Sequence, residues 1–115
     1  MVSKLLVAGS RVELQNDEGN TALHLAAAGG YRKIVDKLID FGSRLEVQNH
    51  KGNTALHLAA AGGHSEMVSK LIDFGSRLEV QNHKGNTALH LAAAGGHSEM
   101  VSKLIDFGSV LEVKK

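Results

Sequence analysis

The string Gly-Asn-Thr-Ala-Leu-His-Leu-Ala-Ala-Ala-Gly-Gly stands at residues 19–30 and returns unchanged at 52–63 and 85–96. The interval is 33 residues each time, and a fixed period of roughly 20–50 residues marks a solenoid of stacked units. Residues 49–81 and 82–114 differ only at Arg77 against Val110 and Gln81 against Lys114. Residues 16–48 differ from 49–81 at seven positions, concentrated in Asp17, Glu18 and the segment from Tyr31 to Asp36. The opening Met1-Val2-Ser3-Lys4-Leu5 returns at Met67 and Met100, in the second half of a unit. The chain therefore reads as one domain, 1–115: a half unit (1–15) and three full units (16–48, 49–81, 82–114). Near-identity of neighbouring units implies very recent internal duplication or deliberate copying, with an engineered origin favoured.

Composition excludes several function classes. The 115 residues are 43% hydrophobic but only 3% aromatic, so a core must be built from Leu, Ile, Val and Ala. Cysteine is absent, which removes disulfide scaffolds, Cys-based zinc sites and thiol nucleophiles. Thirteen Lys and Arg against twelve acids give a net charge of +1, no footprint for nucleic acid, where a basic excess is expected. No apolar run approaches the ~20 residues that span a bilayer, and residues 1–10 lack the build of a signal peptide. A soluble, cytoplasmic protein is expected.

One unit can be read locally. Thr54 is an N-cap, its hydroxyl free to accept from the first turn. Ala55 to Ala61 forms a short helix that Gly62-Gly63 ends, glycine accepting the left-handed conformation. A second helix runs from about Ser65 to Phe74, with Met67, Val68, Leu71 and Ile72 as its apolar stripe and Ser69, Lys70 and Asp73 on its wet face. Gly75 closes it. Ser76-Arg77-Leu78-Glu79-Val80-Gln81 alternates at period two, which predicts a short extended arm, and Asn82-His83-Lys84-Gly85 makes a turn. Glu66 with Lys70, and Glu99 with Lys103, are spaced for helix-supporting pairs. Neither helix persists alone in water, where ~12–15 residues are already marginal. Stacking must supply the stability, and alanine-faced helices allow close approach.

The period, the Thr-Ala-Leu-His-Leu-Ala-Ala core, the Gly-His opening of the second helix and the closing glycine resemble the ankyrin repeat family over essentially the whole chain. The resemblance implies an all-α ankyrin-repeat solenoid of stacked helix-turn-helix units with short β-hairpin-like fingers, and a role in protein recognition. Departures are visible. Ala22, Ala55 and Ala88 stand where the family usually has proline. Asn16, Asn49 and Asn82 replace its turn aspartate, and Glu46, Glu79 and Glu112 replace its finger asparagine, so hydroxylation there is not expected.

Seven histidines raise a metal or catalytic reading, and both are set aside. Equivalent positions in adjacent units sit roughly 8–10 Å apart, too far to share an ion at ~2.0–2.1 Å. Only the tips His50 and His83 could converge, and no carboxylate is arranged to complete a site; no metal or cofactor is expected. The serines form no nucleophile elbow and the glycine pairs no P-loop. Every apparently catalytic residue occurs in repeated copies, so no enzymatic activity is expected. The resemblance makes Thr21 with His24, Thr54 with His57 and Thr87 with His90 structural braces between a helix start and the next finger.

Carried over from the family, the partner-binding positions are Asp17, Glu18, Asn20, Ala28 and Gly29 in the first unit. They are His50, Lys51, Asn53, Ala61 and Gly62 in the second, and His83, Lys84, Asn86, Ala94 and Gly95 in the third. The tips run acidic, basic, basic. Ala and Gly at the concave helix positions supply no aromatic or arginine anchor, which suits a scaffold without an evolved target. A fragment of a natural regulator that binds a protein through its fingers is the alternative. A solenoid also needs polar end units; with a last unit like the interior one, and Val2, Leu5 and Leu6 as the half unit's stripe, end-to-end self-association is a further expectation.

Overall fold

A computed structural model describes residues 12–113, with side chains described as far as residue 108. Among the described residues from Ala22 onward the helices come in three pairs: α1 (Ala22–Gly29) with α2 (Arg32–Asp40), α3 (Ala55–Ala61) with α4 (Ser65–Asp73), and α5 (Ala88–Ala94) with α6 (Ser98–Val113). The short helices α1, α3 and α5 lie side by side, and each packs on the second helix of its own pair. The expected stripe of the half unit, Val2, Leu5 and Leu6, lies outside the described residues.

Each short helix begins on a threonine in extended conformation. The hydroxyl of Thr54 accepts from the His57 N–H while the His57 ring accepts from the Thr54 N–H, so two orphan donors are satisfied reciprocally. Histidine here occupies the place that glutamate takes in the ordinary capping box. The glycine pair that follows divides the work. Gly63 has φ +75°, the left-handed conformation expected. Gly62 does not; instead a Cβ there would stand 2.8 Å from Cδ2 of His64, so the ring of the next helix claims the space.

The core is aliphatic and small. Leu23, Ala27, Leu56, Ala59, Ala60, Met67, Val68, Leu71, Ala92, Met100 and Leu104 are buried. The anticipated stripe on α4 is largely in place, with Met67, Val68 and Leu71 buried and Ile72 packed against them at the margin. Alanine on the short helices lets three of them stand shoulder to shoulder without a ring between them.

Three local expectations need correction. Among the described residues no segment pairs as a strand, and residues 76–81 run irregularly, with a bend at 78–79. Alternation alone does not make a ladder; these backbone groups find side-chain acceptors instead, as when the Arg77 N–H donates to Glu46 Oε2 at 2.9 Å. Second, Glu66 does not pair with Lys70. Lys70 Nζ donates to Asp36 Oδ1 of the preceding unit at 2.7 Å, and Glu66 pairs with Arg32 there. Lys103 likewise turns to Ser69 Oγ at 3.2 Å rather than to Glu99. Long side chains on one helix face reach a parallel neighbour as easily as their own next turn. Third, Gly108, which the copied unit sets in the helix-closing place of Gly75, ends no helix: α6 continues to Val113, although Gly42 and Gly75 at the matching positions have φ +100° and +114°. The segments after Gly42 and Gly75 lead into finger turns bonded to the neighbouring unit. From residue 109 to Val113 the backbone stays helical.

Candidate partner-binding face

The fingers are shaped by asparagine. Asn49 Oδ1 accepts from the N–H groups of Lys51 and Asn53 at 3.0 and 2.9 Å, an Asx-type turn that Asn16 and Asn82 repeat. The amide adds what a carboxylate would lack. Asn49 Nδ2 donates to Asn20 Oδ1, and Asn82 Nδ2 to Asn53 Oδ1, both at 2.8 Å. Substituting asparagine for the family's aspartate thus creates a ladder running across the tips.

Further ladders run parallel to it. Gln48 Nε2 donates to Gly52 O at 2.8 Å and reaches Gln81 O at 3.3 Å. The His50 and His83 N–H groups each donate to the preceding tip, at Glu18 O and Lys51 O. The ring of His83 lies over Gly52, where an added Cβ would meet it at 2.6 Å; His50 covers Gly19 in the same way. Each tip histidine is thereby directed onto the glycine of the unit before it. Among the described residues no group of three or more His, Asp or Glu side chains gathers at metal-holding distance.

His24 and His57 join the short helices to the tips. Both are 1% exposed. An N–H can only donate, so the Thr54 N–H fixes Nδ1 of His57 as an acceptor, and Nε2 carries the hydrogen donated to Asn86 O at 2.9 Å. His24 makes the same bond to Asn53 O. Burial pushes both imidazoles below their ordinary value of 6.5, opposed by their backbone bonds and by the nearby Glu13 or Glu46. The third copy differs: His90 keeps its bonds to Thr87 but is exposed, and no next finger meets its Nε2 among the described residues.

These bonds position two grooves. Asp17, Glu18, Asn20, Asn49, His50, Lys51, Asn53 and Leu58 line the first; His50, Lys51, Asn53, Asn82, His83, Lys84, Asn86 and Leu91 line the second. The tip residues Asp17, Glu18, His50, Lys51, His83 and Lys84 are exposed. Asn20 and Asn53 use their side-chain oxygens in the ladder, so they shape the grooves more than they project from them. Ala28, Ala61 and Ala94 are exposed but border neither groove.

Sequence reading missed two sets of residues. Leu58 and Leu91 form the apolar floors, and the matching Leu25 is 52% exposed. The signal was present: Leu25 precedes Ala28 by three, so the two share a helix face. His64 and His97 are the other set, with Nε2 bonded to Ala28 O at 2.8 Å and Ala61 O at 3.1 Å in the unit before. Here the signal was the recurrent Gly-Gly-His, whose first glycine vacates the room the ring needs.

Among the described residues no helix is long and apolar enough to cross a membrane. No individual curated protein matches the chain. The family model for ankyrin repeats, in three copies, matches residues 1–82 and 26–115. Such repeats generally mediate protein–protein interaction and are typically non-catalytic scaffolds. With the period, the threonine-capped short helices and the finger-to-finger bonds on one side and this match on the other, the chain belongs to the ankyrin repeat family.

Proposed function

We propose that this protein is a non-catalytic scaffold for protein–protein interaction, and that its partner lies along the tips and the exposed face of the short helices. The observation that supports this reading is the pair of grooves with leucine floors and charged rims. The contact residues are Asp17, Glu18, His50, Lys51, His83 and Lys84 at the rim, Asn20, Asn53 and Asn86 beside them, and Ala28, Ala61 and Ala94 on the helices. Leu58 and Leu91 join that set. The units are copied, by recent duplication or by design, so any selectivity resides in the few positions where they differ, above all Asp17 and Glu18 against the His-Lys tips. A cytoplasmic setting suits a chain without cysteine.

Photo-crosslinking tests the placement. A photoreactive residue replacing Lys51 or Ala61 gives discrete protein adducts in a cell lysate, and the same residue at the exposed Asp73 of α4 does not. Equal labelling from all three positions, or none from Lys51 and Ala61, contradicts the reading.

A further inference from the structure

The charge order of the tips says what kind of partner segment fits. Asp17 and Glu18 edge the first groove, facing Lys51, and the second groove is edged by Lys51 and Lys84 with their histidine neighbours. Among the described residues none of these four charged side chains is held in an ion pair, whereas on the α2 and α4 side Arg32, Asp36, Glu66 and Lys70 are paired. The stack thus offers acid, base, base at intervals of one unit, roughly 8–10 Å for helices packed side by side.

That interval matches one backbone conformation. In a polyproline II segment every third side chain points the same way, and three residues advance about 9 Å. A β-strand fails the match, because residues three apart point to opposite faces. We infer that the docking face takes an extended, polyproline II-like protein segment of the pattern Lys-x-x-Glu-x-x-Glu. The basic residue sits at the Asp17–Glu18 tip and the two acidic residues sit at the tips of Lys51 and Lys84. Apolar side chains between them fill the grooves over Leu58 and Leu91. The segment runs in whichever direction brings its basic end to the first unit. This inference rests on the docking-face reading above.

Fluorescence anisotropy with labelled peptides tests it on the full chain. The matching probe is Lys-Leu-Pro-Glu-Leu-Pro-Glu, and the control of the same composition is Glu-Leu-Pro-Lys-Leu-Pro-Glu, which sets lysine against the Lys51 tip. The matching peptide binds roughly fivefold tighter, as expected of a few exposed charge contacts, and the difference shrinks steeply at about 0.5 M salt, where screening is short-ranged. In the double variant Lys51→Glu, Lys84→Glu the preference moves to a peptide with lysine at all three charged positions. The milder Lys51→Gln reduces the discrimination without inverting it, and circular dichroism verifies that each variant is folded.

Equal binding of the two peptides, or an unchanged preference in the double variant, overturns the charge-order inference. So does absence of binding by every peptide at about 1 mM, a concentration at which weak contacts register; the docking face then stands or falls on the crosslinking pattern alone. A peptide that binds with the expected preference but protects α2 and α4 rather than the tips overturns the docking-face reading itself.

Discussion

Replacing His57 by alanine, with His90→Ala as an internal control, probes the stack most sharply. The two histidines have identical flanking sequence and the same bonds to their own capping threonines. They differ in what lies beyond: His57 is buried and donates to Asn86 O at 2.9 Å, while His90 is exposed. Removing the His57 ring orphans the buried Thr54 N–H and leaves the Asn86 carbonyl with one donor, the Asn82 N–H, in place of two. Each unsatisfied buried group costs about 1–3 kcal/mol, and the emptied ring volume adds to that. A loss of about 3 kcal/mol is expected, a large part of the ~5–15 kcal/mol that holds a small domain folded. At His90 water can replace the lost partner, and about 1 kcal/mol or less is expected, the ordinary worth of a helix cap. Urea titration followed by far-UV circular dichroism, extrapolated linearly, measures both. Losses within about 0.5 kcal/mol of each other would refute the reasoning, since they would mean that capping alone, not the reach to the next finger, sets the value.

Other consequences can be checked on the same instrument. His24 and His57 are held below their ordinary value chiefly by burial, so below pH 6.5 the unfolded chain takes up protons that the folded chain does not. Stability is therefore flat above about pH 7.5 and falls as the pH drops through 6.5, with a slope of at most about 1.4 kcal/mol per pH unit for each histidine; His57→Ala flattens that slope. Gly108→Ala stabilises by about 0.5–1 kcal/mol, because the residue sits inside α6 with nothing within 4 Å of an added Cβ. Gly75→Ala, at φ +114°, destabilises instead, and the same sign at both sites would contradict the extension of α6. Asn49→Asp keeps the Asx turn but removes the donor to Asn20 Oδ1, and a loss of about 1 kcal/mol follows; a gain would show that the asparagine ladder contributes nothing.

What could be read from the residues alone was whatever a unit decides for itself. Thr54 as a cap, Gly63 and Gly75 as left-handed residues, and Met67, Val68 and Leu71 as a buried stripe all follow from local geometry and the helical period. The unread part lies between units. Nothing in a repeating string says whether Lys70 turns to Glu66 four residues back or to Asp36 thirty-four back, because both lie within reach of a long side chain. Two of the seven differences in the first unit acquire meaning through that neighbour: Arg32 and Asp36 supply ion-pair partners to Glu66 and Lys70, where Ser65 and Ser69 cannot do the same for the third unit. Gly108 shows the same limit. The residues before it equal those before Gly75 and only Val110 in place of Arg77 departs nearby, yet it is Gly75 that leads into a finger closed against another unit. The candidate face was legible in its tips, which project, and illegible at Leu58 and Leu91, whose exposure depends on how the fingers arch over the helices.

Residue-resolved amide hydrogen exchange asks most directly whether the shape of that face comes from bonds between units rather than within them. The two nearly identical units at 49–81 and 82–114 are compared position by position. Greater protection is expected at Asn53, His57 and Ala59 than at Asn86, His90 and Ala92, by roughly tenfold or more, since about 1.4 kcal/mol of extra bonding corresponds to that factor. Equal protection in the two units would contradict the account, because each unit would then be ordered by its own sequence alone.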